Sequence, residues 1–551
     1  MDFERATLKA IFYDYPIESA IKAIEEAQKF GGKDDFMDIL PQLVRWREQA
    51  FTTTEARMMK NLAQSQWLVA PKAFRNSNIP YIYCPLLLVE HIAKCVLRED
   101  IHSHNNPIVH FDDLFRWKDA TLYVGEDLLT IAYVAERDSK QFPTEDSLFL
   151  WADTLNHDEP MLNRVLDKGI SDVHAHYNAT ADVFHINWIA LMNDLSKRNN
   201  IAHKVKQYQD VMFTTVDTES IIPFNRLCIA AAYLRVKFYE KYVLKQNVDI
   251  TEFNGVIDIL KSDFAAISIK RDLQAEIGVL RRSSLHTPDG HSLDYAILDC
   301  SKTRDNQDSI FLLYQGEREL MYQYMLLYYG LNKEAWRLAP YFYMYLLIKT
   351  RVRKEFVQIN QLKGFENFQT YQDRKSSCLD DNDIWSQQYG KYVVQSTLCT
   401  NKTDFLEARI TPTSLNTIKE DFGGSVFSKN KVLPNVSDRL TFVAHFIKAD
   451  YTTKNKKRDQ YISNREGSPK FADYRGKLKA WINDILNVYI AQQKYESWDK
   501  RSNLPKLVGI DAASTEMFCR PEVFGHVYRF AKKKGMPQRT FHVGEDFFDI
   551  I

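Results

Sequence analysis

Five short apolar runs, each closing on a cluster of polar residues, constrain the fold of this chain more than any other feature. Lys168-Gly169-Ile170-Ser171-Asp172-Val173 leads into His174-Ala175-His176. Residues 405–410 lead into Thr411-Pro412, and Leu440-Thr441-Phe442-Val443-Ala444 leads into His445-Phe446. Leu507-Val508-Gly509-Ile510 leads into Asp511-Ala512-Ala513-Ser514, and Arg539-Thr540-Phe541 into His542-Val543-Gly544-Glu545. Helical patterning separates the last four; proline at Pro521 suits a helix start. Strands alternating with helices predict a parallel sheet or barrel, and polar groups gathered at strand C-terminal ends predict the mouth of a barrel active site. The expected class is α/β, of the (β/α)8 TIM-barrel amidohydrolase type, present through about strand five.

The first two runs are far apart, whereas a dozen or more residues suffice for one crossover. A large, mainly helical insertion is therefore expected at about 178–403, in a barrel spanning 166–551, preceded by a helical accessory region over 1–165. In that region Ala20-Ile21-Lys22-Ala23-Ile24 repeats at helical spacing. His102-Ser103-His104 lies in a polar stretch with no apolar strand before it and reads as a solvated loop. The aromatic-rich stretches 311–329 and 341–353 read as core or subunit interface, and on the second reading they predict a homo-oligomer.

Composition closes off several classes. Lys+Arg and Asp+Glu are both 72, so a globally basic nucleic-acid binder is disfavoured and anion recognition must be local. Lys454-Asn455-Lys456-Lys457-Arg458 is the one strong basic run; it reads as a solvated face or as a loop overhanging the barrel mouth. The seven cysteines (84, 95, 228, 300, 378, 399, 519) include no C-x-x-C pair, against a disulfide framework or a cysteine zinc site. Met1-Asp2-Phe3-Glu4-Arg5 is not a signal peptide, and no apolar run reaches membrane length. A cytoplasmic location is the expectation.

His174 and His176 stand two apart at a strand end, so both side chains share one face and can converge on a metal ion. His542 brings a third imidazole to another strand end, with Glu545 three residues on. A catalytic metal needs an open position for water and a nearby carboxylate to move protons, and Glu545 suits that second role. His445 either faces the pocket or packs as a core histidine. Glu407 and Arg409, also two apart, read as an internal ion pair, and His526 as structural.

Four segments, taken in order, resemble the adenosine and adenosine-monophosphate deaminase family of zinc-dependent hydrolases. His174-Ala175-His176-Tyr177-Asn178-Ala179 resembles H-x-H-L-D-G-A, and Glu407-Ala408-Arg409-Ile410-Thr411-Pro412 resembles E-x-R-x-x-P. Gly509-Ile510-Asp511-Ala512-Ala513-Ser514 resembles G-I-D-L-A-G, and His542-Val543-Gly544-Glu545 resembles H-A-G-E. The resemblance covers residues 168–179 and about 404–551. It implies zinc on His174, His176 and His542, with Glu545 protonating the purine ring nitrogen. Ser514 falls where the family's glycine contacts the purine through its backbone. Asn178 stands in place of a ribose-facing aspartate, which removes a like-charge penalty against a 5′-phosphate. The family's later histidine and its two aspartates after strand eight have no counterpart before Ile551, so the catalytic set is expected to be incomplete.

The helical N-terminal region, the large insertion and Gly544-Glu545-Asp546-Phe547 together most resemble the deaminase component of the bacterial RADAR antiphage system. That resemblance implies shell-like assemblies, an AAA+ ATPase partner, and an adenine nucleoside, nucleotide or RNA adenine as substrate. Two alternatives stand beside it: another hydrolase of the superfamily, which the H-x-x-E spacing disfavours, and a non-catalytic assembly protein on a degenerate barrel. Cytidine-type deaminases are excluded because they need P-C-x-x-C.

Overall fold

The computed structural model describes residues 3–29, 35–47, 52–74, 78–99, 107–141, 156–176, 182–195, 222–284, 293–297, 313–357, 403–412, 439–448, 472–494, 506–514 and 521–545, with 371, 374, 378–379, 384–386, 389, 392, 397–398, 516 and 519. Asn178, the 454–458 basic run, His102 and His104 lie outside the described residues. The chain divides into two compact units.

The second unit, residues 164–182, 360–372 and 388–551, carries the sheet. Its strands are β4 (Ile170–His176), β5 (Thr403–Ile410), β6 (Leu440–Ile447), β7 (Lys506–Ala513) and β8 (Gln538–Arg539), numbered after three short strands of the first unit. They pair in parallel in the order β4-β5-β6-β7-β8, each beside its neighbour in sequence. This is the parallel α/β arrangement that the five runs predict. β6 and β7 are buried almost throughout, with Leu440, Phe442, Val443, Ala444 and Phe446 on one and Leu507, Ile510, Ala512 and Ala513 on the other. Near-continuous apolar strands belong in a parallel sheet covered on both faces. β4 is exposed along most of its length, as an outer strand.

Between β6 and β7 runs a helix, Ala472–Lys494, which buries Tyr474, Leu478, Ile482, Ile485 and Tyr489 at helical spacing and packs on β7. Between β7 and β8 a shorter helix, Gly525–Lys533, buries Val527 and Ala531 and carries His526. At Gly509 a Cβ would stand 2.6 Å from the Gln538 Cβ, so only glycine lets β7 and β8 approach this closely.

The first unit, residues 1–163, 183–359 and 373–387, is helical apart from a small sheet of β1 (Leu97–Glu99), β2 (Pro107–Val109) and β3 (Asn156–His157). Its principal helices are α1 (Glu126–Lys140), α2 (Val183–Asn193), α3 (Phe224–Phe238), α4 (Gln315–Tyr329) and α5 (Lys333–Arg353). The N-terminal region and the insertion form one unit rather than two separate regions. The reason lies in phenols that bridge them: Tyr328 donates to the Tyr83 carbonyl at 2.9 Å and Tyr322 to Asp138 at 2.8 Å. α5 is buried on most of its surface from Leu338 to Thr350, as a helix this rich in apolar and aromatic residues must be. Tyr324 stacks on Phe342 at 4.0 Å and Tyr328 on Trp336 at 4.5 Å. Burial of these rings within the unit agrees with the core reading of the aromatic-rich stretches.

A charged cluster lies inside this unit. Arg235 on α3 is fully buried and reaches Asp294 through Nη2 at 2.7 Å and Glu317 through Nε at 2.8 Å. Glu317 also accepts from Lys349 at 2.8 Å and from Tyr345 at 2.7 Å, and Asp294 from Asn193 at 2.9 Å. No helix of the described residues is long and apolar enough to cross a membrane.

Candidate metal centre

The parallel register sets the C-terminal ends of β4, β6 and β7, and the segment just after β8, along one edge of the sheet. His445 on β6 stands opposite Asp511 on β7. Beyond β8 the backbone continues the pairing, with the Thr540 amide donating to Ile510 at 3.0 Å and the His542 amide to Ala512 at 2.9 Å. Those bonds deliver the His542 ring to Asp511.

Four imidazoles close a ring of neighbours. Centroid separations are 5.5 Å from His174 to His176, 5.1 Å from His176 to His445, 5.5 Å from His445 to His542, and 4.5 Å from His542 back to His174. The three histidines expected to bind metal thus come together, and His445 joins them. His445 is buried, as the core reading expected, and it also lines the centre, as the pocket reading expected.

The tightest donor group differs from the expected one. His174, Asp511 and His542 each place a donor atom within 4.8 Å of the others, and His176 is not in that group. His176 pairs with Arg409 and its ring adjoins His445, whereas the His174 ring meets His542, whose other nitrogen faces Asp511. The atoms show how the group would work. His542 Nε2 lies 2.8 Å from His174 Nε2, while His542 Nδ1 lies 3.1 Å from Asp511 Oδ2. Asp511 therefore stands behind the His542 ring, on the edge away from His174. Two ligands on a tetrahedral zinc sit roughly 3.3 Å apart, given bonds of about 2.0–2.1 Å. The exposed His174 side chain can open by that margin, so the pair of Nε2 atoms fits a cation of this kind.

Charge reinforces the arrangement. Burial would raise the proton affinity of Asp511, but the His445 and His542 ring nitrogens that face it outweigh burial and hold the carboxyl well below its usual range. The hydrogen bond to Asp511 raises His542. His174 is lowered by burial, then by the neighbouring Arg409 and His542, which favours the neutral ring a metal needs. Glu545, 3.8 Å from His542, is raised mainly by burial, which suits a group that gives and takes a proton.

Ser514 holds a left-handed backbone, φ 87°, where glycine is usual. Its amide points into the site and donates to Glu545 at 2.6 Å. Glu407 and Arg409 form the expected ion pair at 2.6 Å, and Arg409 also donates to the Val173 carbonyl at 2.8 Å, tying β5 to β4.

Two participants escaped the sequence reading. Lys448, one residue past β6, has a fully buried side chain that reaches Glu516 at 3.0 Å, the His542 carbonyl at 2.7 Å and Glu545 at 3.7 Å. Glu516 in turn accepts from the Gly544 amide at 3.0 Å. The signal was present: Lys448 follows the apolar run that ends at Ile447, the same placement that singled out the histidines. Asp511 stood inside a quoted motif, but nothing local showed that it faces two imidazoles. No family model matches the chain, and no curated protein matches it.

Proposed function

We propose that this chain carries the metal-binding part of a zinc-dependent hydrolase that deaminates an adenine base in a nucleoside, nucleotide or RNA, on a barrel of the (β/α)8 type, with a catalytic set that its resemblance to the deaminases leaves incomplete. The observation that carries the reading is the convergence of His174, His176 and His542 from strand ends hundreds of residues apart, with Glu545 beside them. The four motifs resembling the deaminase family, in order, supply the substrate class.

His174 and His542 would hold the ion through Nε2, with His176 adjoining. Bound there, zinc supplies Lewis acidity for attack by water on a ring carbon. Glu545 sits where it can pass a proton to the base, and the Ser514 amide keeps that carboxylate in place. Lys448 balances the carboxylates and ties the ends of β6, β7 and the His542 segment together. His445 and the Ser514 backbone are positioned to line the substrate side. The same reading carries homo-oligomers, an AAA+ ATPase partner, a role in antiphage defence and a cytoplasmic location.

The test is metal content alongside inosine formation. Purified protein should hold about one zinc per chain, lost in the double variant His174→Ala with His542→Ala. Glu545→Gln should keep the metal and lose turnover by about 10²–10⁴-fold. Equal zinc in wild type and the double variant would overturn the metal reading. Zinc binding without deamination of any adenine compound would favour the non-catalytic assembly protein.

A further inference from the structure

We propose that Asp511 is a positioning residue that orients two imidazoles at once, His542 and His445, so that both present Nε2 to the centre. The functional consequence rests on the metal-dependent reading above; the orientation itself does not.

The geometry is specific. Asp511 has no exposed surface. Its Oδ1 accepts from the Ala512 amide at 2.9 Å and lies 3.2 Å from His542 Nδ1. Its Oδ2 lies 3.1 Å from that same nitrogen and 3.2 Å from His445 Nδ1. Arg409 Nε approaches Oδ2 at 3.5 Å. Asp511 Oδ2 and His445 Nδ1 are both buried without a well-aligned hydrogen bond, so each is the group that would satisfy the other.

An ionised carboxylate only accepts. Both facing nitrogens must then carry the proton, which leaves the lone pair of each neutral ring on Nε2, the far edge. For His542 that edge faces His174 at 2.8 Å. The His445 ring adjoins His176 and His542, so it belongs to the centre as a second oriented imidazole rather than as a packed core residue. A carboxylate can accept from two rings; a carboxamide has one accepting oxygen and an N–H₂ that donates. Asp511→Asn can therefore orient one ring only, and Asp511→Ala neither.

The experiment uses full-length protein labelled with ¹⁵N-histidine at pH 8, without metal. Ring signals of His445 and His542 are assigned with His445→Gln and His542→Gln. Wild type should show the Nδ1–H tautomer at both rings. Asp511→Asn should switch one of them to Nε2–H, and Asp511→Ala should release both. A helical circular dichroism spectrum like that of wild type shows that each variant has folded. Zinc affinity, measured by competition with a chromophoric chelator, should fall about 10–100-fold in Asp511→Ala. Retention of Nδ1–H at both rings in Asp511→Ala, or zinc affinity equal to wild type in that variant, would overturn the proposal. If wild type shows both tautomers and the variants switch as described, but zinc binds nowhere, the orientation stands and the metal-dependent reading fails.

Discussion

Two buried acidic clusters, one in each unit, are built in opposite ways. In the helical unit, Asp294 and Glu317 meet Arg235 and Lys349 in equal charge, and all four carboxylate oxygens have hydrogen-bond partners. In the sheet unit, Asp511 faces two imidazoles and an arginine, and one of its oxygens lacks a well-aligned partner. A satisfied network makes a rigid, specific core. An unsatisfied one at the edge of a sheet keeps groups that can exchange protons or accept a ligand. The same residue types thus build a fully paired core in one place and, in the other, the partly paired cluster on which the proposed chemistry rests, and what separates them is completeness of pairing.

The largest expected effect comes from breaking the satisfied cluster. Arg235→Leu strands two buried carboxylates and should destabilise the helical unit by about 3–5 kcal/mol. His174→Ala, at an exposed position, should change stability by less than about 0.5 kcal/mol. Guanidinium unfolding followed by far-ultraviolet circular dichroism compares them, and similar midpoints would erase the distinction between the clusters.

Acid sharpens it next. Burial alone would raise Glu317, but the Lys349 and Arg235 charges outweigh it and hold the carboxyl at about 2. A carboxyl depressed in the folded state stabilises above its unfolded value of about 4.3, and that contribution is lost as pH falls from there toward 2. The loss is on the order of 3 kcal/mol. Stability measured at pH 6, 4 and 3 should fall steeply for wild type, and less steeply for Glu317→Gln. Parallel curves would show that the cluster does not govern acid sensitivity. Glu545 in the sheet unit is shifted upward and adds nothing to this limb, whereas the depressed Asp511 contributes to it as well, so the part due to the helical cluster is the difference between wild type and Glu317→Gln.

The smallest effect concerns backbone strain at the edge of the site. Ser514→Gly relieves a left-handed conformation worth roughly 1–2 kcal/mol, and glycine's greater freedom when unfolded offsets part of that. A net gain of about 0.5 kcal/mol in thermal unfolding is expected. A loss above about 1 kcal/mol would mean that the serine side chain itself stabilises the turn.

The sheet was legible because each strand announces itself locally. The β6 segment Leu440-Thr441-Phe442-Val443-Ala444 reads as a buried strand from its own composition. Glu407 and Arg409 pair within one strand, so two-residue spacing was enough to find them. The helical unit hid its organisation because its decisive contacts are distant in sequence. Nothing around Arg235 distinguishes a buried arginine from one on a solvated helix face, since its partners Asp294 and Glu317 come from other segments. The tyrosines of α4 and α5 signalled burial without saying against what. At the site, strand ends located the histidines, but the role of Asp511 follows from register between strands, which no single segment contains.

The connection between β4 and β5 also shapes how the sheet assembles. β5 to β8 join neighbours across gaps of a few tens of residues, whereas β4 pairs with β5 only after residues 177–402 have been traversed. While that stretch is still unfolded, closing a loop of its length instead of one of thirty residues costs about 2 kcal/mol more in chain entropy. Contacts distant in sequence form late. β4 is then the last strand to dock, and His174 and His176 arrive with it. The centre is completed only when β4 docks, so a partly folded chain in which β5 to β8 have already paired brings His445, Asp511 and His542 together without His174 and His176.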